Sequence, residues 1–121
     1  MTGGLRTYRG SCHCGAFNFC LRAAAITRGK RCNCSICVRR GAVMSVPYFP
    51  HSEFSSFEGL GHLTVYNFGH NMVNHYFCKH CGIYTFHEAK ADPGKYRVNL
   101  GCIDGLDPLA LEIELVDGKL F

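Results

Sequence analysis

The sequence predicts a mainly β, antiparallel domain that is held together by metal-binding cysteines. Short segments of alternating apolar and polar residues are separated by frequent turn residues, and helical periodicity is weak. Nine of the 121 residues are cysteines, and seven of the nine fall in three short motifs. The length fits one domain, residues 1–121, which can bury a single core but not two.

The alternation of apolar and polar residues indicates the order of the elements. Phe17, Phe19 and Leu21 share one face of a predicted strand. The clearest hairpin joins 63–68 to 73–77 through the turn at 69–72. A short helix after residue 37 should end at Gly41, whereas 23–27 and 49–54 are expected to be connections. The other predicted strands are 5–8, 42–46, 83–86, 96–100 and 111–115, the last near a sheet edge.

Three cysteines, Cys32, Cys34 and Cys37, lie within six residues of one another. Zinc is held by thiolates and is usually four-coordinate: structural sites use four protein ligands, whereas catalytic sites use three and leave one position open. A helix that begins near Cys34 and Ser35 would favour thiolate over thiol. We therefore expect a catalytic zinc site here.

Two further motifs each contribute a pair of thiols, Cys12 with Cys14 and Cys78 with Cys81. Residues two apart in an extended segment project to the same side, and Cys-x-x-Cys can chelate one ion across a tight turn. A glycine follows each pair and allows the backbone conformations that such turns often need. Together the pairs predict a closed, structural four-thiolate site, so we expect two zinc ions in all.

Charge and compartment limit the function classes. The formal net charge of +4 falls to about +1 once seven thiolates and two Zn²⁺ are included, which weakens a case for nucleic acid. The sequence has neither an apolar leader nor a run of 18 apolar residues, so we expect a soluble cytoplasmic protein that binds no membrane. An odd number of cysteines cannot all pair as disulfides, and cytoplasmic thiols stay reduced.

In order and spacing, the three motifs resemble those of the glutathione-dependent formaldehyde-activating enzyme family, also called S-(hydroxymethyl)glutathione synthase, which includes centromere protein V-like members. The motifs are 10–15 (GSCHCG), 32–37 (CNCSIC) and 77–83 (FCKHCGI), and the resemblance extends from about Tyr8 to the C-terminal end. It implies an Mss4-like antiparallel β fold with two zinc ions. Matching the motifs assigns Cys12, Cys14, Cys78 and Cys81 to the structural ion and Cys32, Cys34 and Cys37 to the catalytic one.

The resemblance also implies an activity, that of a carbon-sulfur lyase with glutathione as co-substrate. The enzyme would condense glutathione with formaldehyde, or a related thiol with an aldehyde, to give S-hydroxymethylglutathione. The thiol would occupy the open metal position, lose its proton there and attack the aldehyde. Basic residues beside the three cysteines could bind the two glutathione carboxylates, for which arginine has a matching bidentate geometry; the candidates are Arg31, Arg39 and Arg40.

Several assignments stay open from sequence alone. The alternative for Arg28, Lys30 and the three arginines is that they are solvated surface charge. Donors to the developing oxyanion could be Ser35, Asn33, Tyr84 or His87. The histidines are expected to be structural, although His75 could reach inward. Cys20 and Cys102 are expected to pack as small apolar residues, but Cys102 as a fourth ligand would close the second site.

A second function class is a non-enzymatic, zinc-stabilised module that binds protein or nucleic acid. The basic residues are scattered and few aromatic residues lie between them, which argues against a nucleic-acid surface. The small-molecule thiol and aldehyde are therefore the expected partners, and the oligomeric state is left open.

Overall fold

A computed structural model describes residues 4–68 and 73–118 of the chain, with only the backbone at 56 and 57. Within these ranges there are eleven strands, one α-helix and three single-turn 3-10 helices. The 3-10 helices are Leu60–His62, Leu100–Cys102 and Pro108–Ala110, and the α-helix is α1 (Ser35–Arg40). The strands are β1 (Arg6–Ser11), β2 (Asn18–Ala23), β3 (Arg28–Cys32), β4 (Met44–Ser45), β5 (Phe49–Pro50), β6 (Phe54–Glu58), β7 (Leu63–Tyr66), β8 (Val73–Cys78), β9 (Tyr84–Ala89), β10 (Lys95–Val98) and β11 (Glu112–Val116).

The strands form three sheets, ordered β1-β2-β6, β5-β10-β9-β8-β7 and β11-β3-β4. The prediction of a mainly β fold with antiparallel sheets is confirmed. The predicted hairpin is present as β7 and β8, with Leu63 opposite Cys78, while its turn at 69–72 lies outside the described residues. Among the described helices, none is long and apolar enough to cross a membrane.

Three strands occur where the sequence predicted none, and only one of them, β5, lies wholly within an expected connection. One strand pair also runs in an unexpected direction. β3, β5 and β6 occupy the segments that lacked clear alternation. In β3 the buried position is Gly29, where a Cβ would overlap the side chain of Val43. No apolar side chain therefore marks that strand in the sequence. β11 does lie at a sheet edge, as expected, but it pairs parallel to β3, because the chain returns to β3 through a long crossover.

Aromatic packing forms the centre of the core. Phe17, Phe19 and Leu21 project to one side of the β2 segment and are at most 2% exposed. Phe54 on β6 is fully buried. Its ring meets Phe19 edge-on at 5.0 Å and Phe86 on β9 at 5.2 Å. The sheet β1-β2-β6 is thereby packed against the five-stranded sheet.

Replacing Phe54 with alanine should reduce the free energy of unfolding by about 3–5 kcal/mol, because a large cavity opens between the two sheets. Chemical denaturation of the metal-loaded protein measures this loss. Leu109→Ala is the control, since that side chain is 87% exposed and its loss should change stability by less than about 0.5 kcal/mol. Equal effects of the two substitutions would contradict this assignment of the core.

Candidate functional site

Four cysteines from two separate turns converge on one point, and we call them the four-cysteine cluster. Cys12 and Cys14 come from the turn after β1, Cys78 ends β8, and Cys81 lies in the turn before β9. Their Sγ atoms lie within 4.8 Å of one another, and Cys14 is 3.6 Å from both Cys12 and Cys78. Tetrahedral zinc with Zn–S bonds of about 2.3 Å places its sulfurs roughly 3.8 Å apart. The cluster therefore fits one zinc ion.

The two turns of this cluster are built alike. The N–H of Phe17 donates to Sγ of Cys12 at 3.5 Å, and the N–H of His80 donates to Sγ of Cys78 at 3.4 Å. Each turn is closed by a glycine with positive φ, Gly15 at 80° and Gly82 at 76°, a conformation that residues with a Cβ seldom adopt. Each turn thus presents a backbone N–H to one sulfur of the cluster and holds that sulfur in position.

Cys32, Cys34 and Cys37 form a second group, the three-cysteine cluster, with Sγ atoms within 4.8 Å of one another. Cys32 ends β3, Cys34 is the N-cap of α1, and Cys37 lies one turn into the helix. The N–H of Cys34 donates to Sγ of Cys32 at 3.4 Å. All three are half-buried. The set fits zinc with three thiolates and one remaining coordination position.

The start of α1 makes the thiols unequal. Burial opposes ionisation of Cys34, but hydrogen bonds from Cys37, Cys32 and the N–H of Ile36 outweigh it, so its pKa is lowered. Burial raises the pKa of Cys37 to about 12, and the neighbouring Cys34 adds to this rise. The two thiols therefore differ: the neighbouring thiols and N–H groups lower the pKa of Cys34, whereas burial raises that of Cys37.

The segment after β11 closes over the three-cysteine cluster. The N–H of Gly118 donates to Oδ1 of Asn33 at 2.7 Å, and the N–H of Asn33 donates to the carbonyl of Val116 at 3.2 Å. A Cβ at Gly118 would overlap Sγ of Cys32 and approach Cβ of Cys34 to 3.1 Å. Only glycine allows the backbone to lie this close to the thiols.

The two cysteines outside the motifs ligate neither site. Cys102 is buried and its Sγ donates to the carbonyl of Tyr84 at 3.6 Å. Burial raises its pKa to about 12, with further contributions from Cys12 and Cys81, so it lies on the side of the four-cysteine cluster. In the described part of the chain, the three-cysteine cluster has no fourth His, Cys, Asp or Glu within ligand distance.

A cavity of about 690 Å³ opens along α1, the helix that has Cys34 at its N-cap and contains Cys37. One wall is α1, and the other is formed by β7, β8 and the segment that leads into β9. The size suits a small organic ligand. The lining residues are Ser35, Ile36, Arg39, Arg40, Tyr66, Phe68, His75, Phe77, Gly82 and Tyr84.

Two of the three arginines expected to bind carboxylates are at this cavity. Arg39 is exposed, and its Nη1 donates to the carbonyl of Ser35 at 2.8 Å. Arg40 stacks on the ring of Tyr84 at 4.3 Å and donates from Nη1 to its hydroxyl at 2.8 Å. Arg31 is exposed on β3, outside the lining. Arg28 forms ion pairs with acidic residues of β11, so its charge contributes to the pairing of β3 with β11.

A series of hydrogen-bonded tyrosines and histidines runs from the cavity wall into the protein. The sequence analysis did not predict that these side chains contact one another. The hydroxyl of Tyr84 contacts Nδ1 of His75 at 2.6 Å and Nδ1 of His87 at 3.0 Å. Nε2 of His87 is 3.3 Å from the hydroxyl of Tyr48. The sequence did contain one indication: His75 lies on the same face of its strand as Val73 and Phe77, so we expected that its side chain could face inward. Its partner lies on another strand, which no local pattern specifies.

Comparison with known proteins places these features in a family. Residues 7–116 match the model of the family described as glutathione-dependent formaldehyde-activating enzyme. A crystal structure of a protein from Rhodobacter sphaeroides is similar, with a TM-score of 0.75 and 34% sequence identity, over 88% of this chain and 99% of that chain. The similarity includes nearly the whole of the described fold.

Cys81→Ser and Cys34→Ser should separate the two clusters. Loss of Cys81 should unfold the domain, because a structural ion supplies folding free energy directly. Loss of Cys34 should remove about one zinc per chain and leave a cooperative thermal transition. Metal analysis together with thermal unfolding measures both effects. Equal loss of folding in the two variants would contradict this division.

Gly118→Ala should weaken metal binding at the three-cysteine cluster by roughly tenfold or more, because the added methyl group displaces Cys32 and Cys34. Competition with a chelator, followed by mass spectrometry, measures the affinity of each ion. Gly61→Ala is the matched control, since a Cβ there meets nothing within 4 Å. An unchanged second ion in Gly118→Ala would show that the close approach is not needed.

Proposed function

The chain belongs to the glutathione-dependent formaldehyde-activating enzyme family, and we propose on that premise that it is a zinc-dependent carbon-sulfur lyase which joins glutathione to formaldehyde. The product is S-hydroxymethylglutathione, and the same site would also cleave it. One observation carries the proposal: three convergent thiols, a set that fits zinc with one position left over, lie at the start of α1, and α1 forms one wall of a cavity of about 690 Å³. The four-cysteine cluster is proposed to be structural and the three-cysteine cluster catalytic.

The donor set suits activation of a thiol. Zinc bound by three thiolates would carry a formal charge of −1, so it would polarise a carbonyl poorly but would still deprotonate a coordinating thiol. The guanidinium of Arg40 lies close enough to the site to oppose the high pKa of Cys37. It thereby offsets part of the negative charge that accumulates when a fourth sulfur enters. We therefore assign the cavity beside α1 to the thiol substrate.

The atoms balance without any further reactant. The S–H bond of glutathione breaks, its sulfur forms a bond to the carbon of formaldehyde, and the carbonyl electron pair moves to oxygen. The thiol proton is finally recovered on that oxygen as the hydroxyl of the product. Formaldehyde is strongly electrophilic, so holding a thiolate against it in a confined site provides most of the needed acceleration.

The two arginines on α1 would have different tasks. Arg40 is committed to Tyr84, whereas the guanidinium of Arg39 is exposed and has donors to spare. Glutathione carries two carboxylates, and an arginine can bind a carboxylate through two parallel hydrogen bonds. We assign a carboxylate of glutathione to Arg39. The proposal places the reaction in the cytoplasm, where thiols stay reduced.

Catalysis is tested by exchange spectroscopy, because glutathione and formaldehyde also combine without an enzyme. At mildly acidic pH little free thiol is ionised, so the uncatalysed exchange between glutathione and its adduct slows. The zinc-loaded protein should accelerate that exchange, and Cys34→Ser should return it to the background rate. Cys20→Ser is the matched control, since Cys20 on β2 lies outside both clusters. Glutathione binding without faster exchange would instead favour a non-enzymatic module.

Arg39→Ala should raise the KM for glutathione by roughly tenfold, because a hydrogen bond to a charged group contributes about 1.5–3 kcal/mol. The turnover number should change less, since the carboxylate is remote from the reacting sulfur. Arg22→Ala, an exposed arginine on β2, removes the same charge away from the cavity. Equal KM values for the two variants would refute the assignment of Arg39.

A further inference from the structure

Four side chains were candidates for hydrogen bonding to the oxygen of the aldehyde, and the structure narrows the choice. Asn33 directs its Oδ1 to Gly118 and does not line the cavity. His87 is buried and uses both ring nitrogens within the protein. Tyr84 lines the cavity, but its hydroxyl already has three partners. Ser35 remains at the start of α1, and His75 joins it as a lining residue.

The three partners of the Tyr84 hydroxyl leave it no capacity for a substrate. A phenolic hydroxyl donates one hydrogen and accepts through its lone pairs. The guanidinium of Arg40 has only hydrogens to give, so it must be a donor to this oxygen. Of the two histidines, one therefore accepts the Tyr84 hydrogen and the other donates Nδ1–H. The two hydrogen-bond distances indicate which histidine accepts and which one donates.

The shorter contact is to His75. O–H donors are typically 2.5–3.0 Å from their acceptors, whereas N–H donors to oxygen are most often 2.9–3.0 Å away. The 2.6 Å contact between Tyr84 and Nδ1 of His75 fits O–H donation by Tyr84. The 3.0 Å contact to Nδ1 of His87 fits N–H donation by His87. Nε2 of His87 then accepts from the hydroxyl of Tyr48, which completes the chain.

This direction fixes the hydrogen of His75. Its Nδ1 is an acceptor, so in a neutral ring the hydrogen must be on Nε2. No hydrogen-bond partner of Nε2 is found within residues 4–68 and 73–118. His75 lines the cavity and its Nδ1 is turned to Tyr84, so we take Nε2 as the ring nitrogen that is left to face the cavity. The ring is held flat against Phe68, with centroids 6.1 Å apart.

We propose that His75 presents a fixed Nε2–H donor to the cavity and hydrogen-bonds the aldehyde oxygen as negative charge develops there. Tyr84 and Arg40 are the positioning residues that hold its tautomer. The inference rests on the proposed function for the identity of the acceptor, but the orientation of the donor follows from the protein alone. Such donors act strongly because they are aligned before the reaction begins.

The environment keeps this imidazole uncharged. Burial, together with the nearby guanidinium of Arg40, lowers the pKa of His75 to about 4. Burial likewise lowers the pKa of His87 to about 2. Because both histidines are neutral, each has one donor and one acceptor nitrogen, and donors and acceptors alternate along the series of hydrogen bonds through Tyr84. His75 therefore stabilises the oxyanion by a hydrogen bond, without having to become a cation.

The first test is the tautomer of His75 in the zinc-loaded, substrate-free protein, measured by nitrogen-15 NMR of the imidazole rings. The expected result is hydrogen on Nε2 of His75 and on Nδ1 of His87. In Tyr84→Phe the two His75 tautomers should both become populated, because the acceptor role of Nδ1 is no longer imposed. Hydrogen on Nδ1 of His75 in the unmodified protein would overturn the proposal.

The second test separates catalysis from thiol binding. His75→Phe should lower kcat about 10²-fold, while glutathione binding to the zinc-loaded protein stays unchanged. His75→Gln retains an N–H donor near the Nε2 position and should recover at least tenfold of that loss. His51→Phe is the matched control, because His51 packs on Tyr96, outside the cavity lining. An unchanged kcat in His75→Phe would overturn the proposal.

Failure of the proposed function and failure of the role assigned to His75 would give different results. If the unmodified protein binds glutathione but does not accelerate exchange, the proposed function fails, while the tautomer still decides whether a donor is directed into the cavity. If exchange is fast and His75→Phe retains full kcat, the lyase assignment survives and the role of His75 is refuted. Two zinc ions per chain and an unchanged thermal midpoint in His75→Phe establish that its loss of activity is local.

Discussion

The contact between Arg40 and Tyr84 joins the two halves of the candidate site. Arg40 is on α1, the helix that carries Cys34 at its N-cap and Cys37 in its first turn, whereas Tyr84 begins the strand that follows the four-cysteine cluster. The guanidinium both stacks on the ring and donates to the hydroxyl, so it fixes distance and orientation together. Three features depend on this contact. They are the shape of the cavity, the direction of the hydrogen bonds through Tyr84, and the position of the positive charge that offsets negative charge at the thiols.

The two thiol clusters divide the work because their surroundings differ. The four-cysteine cluster joins two β turns and leaves no ligand position vacant, so its metal would serve as a cross-link between sheets. The three-cysteine cluster ends a strand and begins α1, the helix that also forms one wall of a cavity lined by aromatic rings and guanidinium groups. Under the proposed function, a similar number of sulfurs would serve stability at one point and chemistry at the other.

The sequence alone was sufficient for what depends on local spacing. The three-cysteine cluster, the helix that ends at Gly41 and the hairpin of β7 and β8 follow from residues close together in the chain. The four-cysteine cluster was inferred from two local pairs of thiols whose numbers add up to one tetrahedral site. β3 could not be found this way, because its buried residue is Gly29 and its other side chains are polar. Contacts across long separations were equally inaccessible, as between Gly118 and Asn33 or between His75 and Tyr84. Side-chain direction on paired strands, which decides these contacts, is absent from any local pattern.

The parallel pairing of β11 with β3 has a consequence for how the molecule is assembled. Translation delivers every ligand of the four-cysteine cluster before it delivers Val116 and Gly118, which cover the three-cysteine cluster. Docking of β11 beside β3 is therefore the step that covers the three-cysteine cluster, and the thiols of that cluster stay open to solvent in any folding intermediate in which this strand is not yet paired.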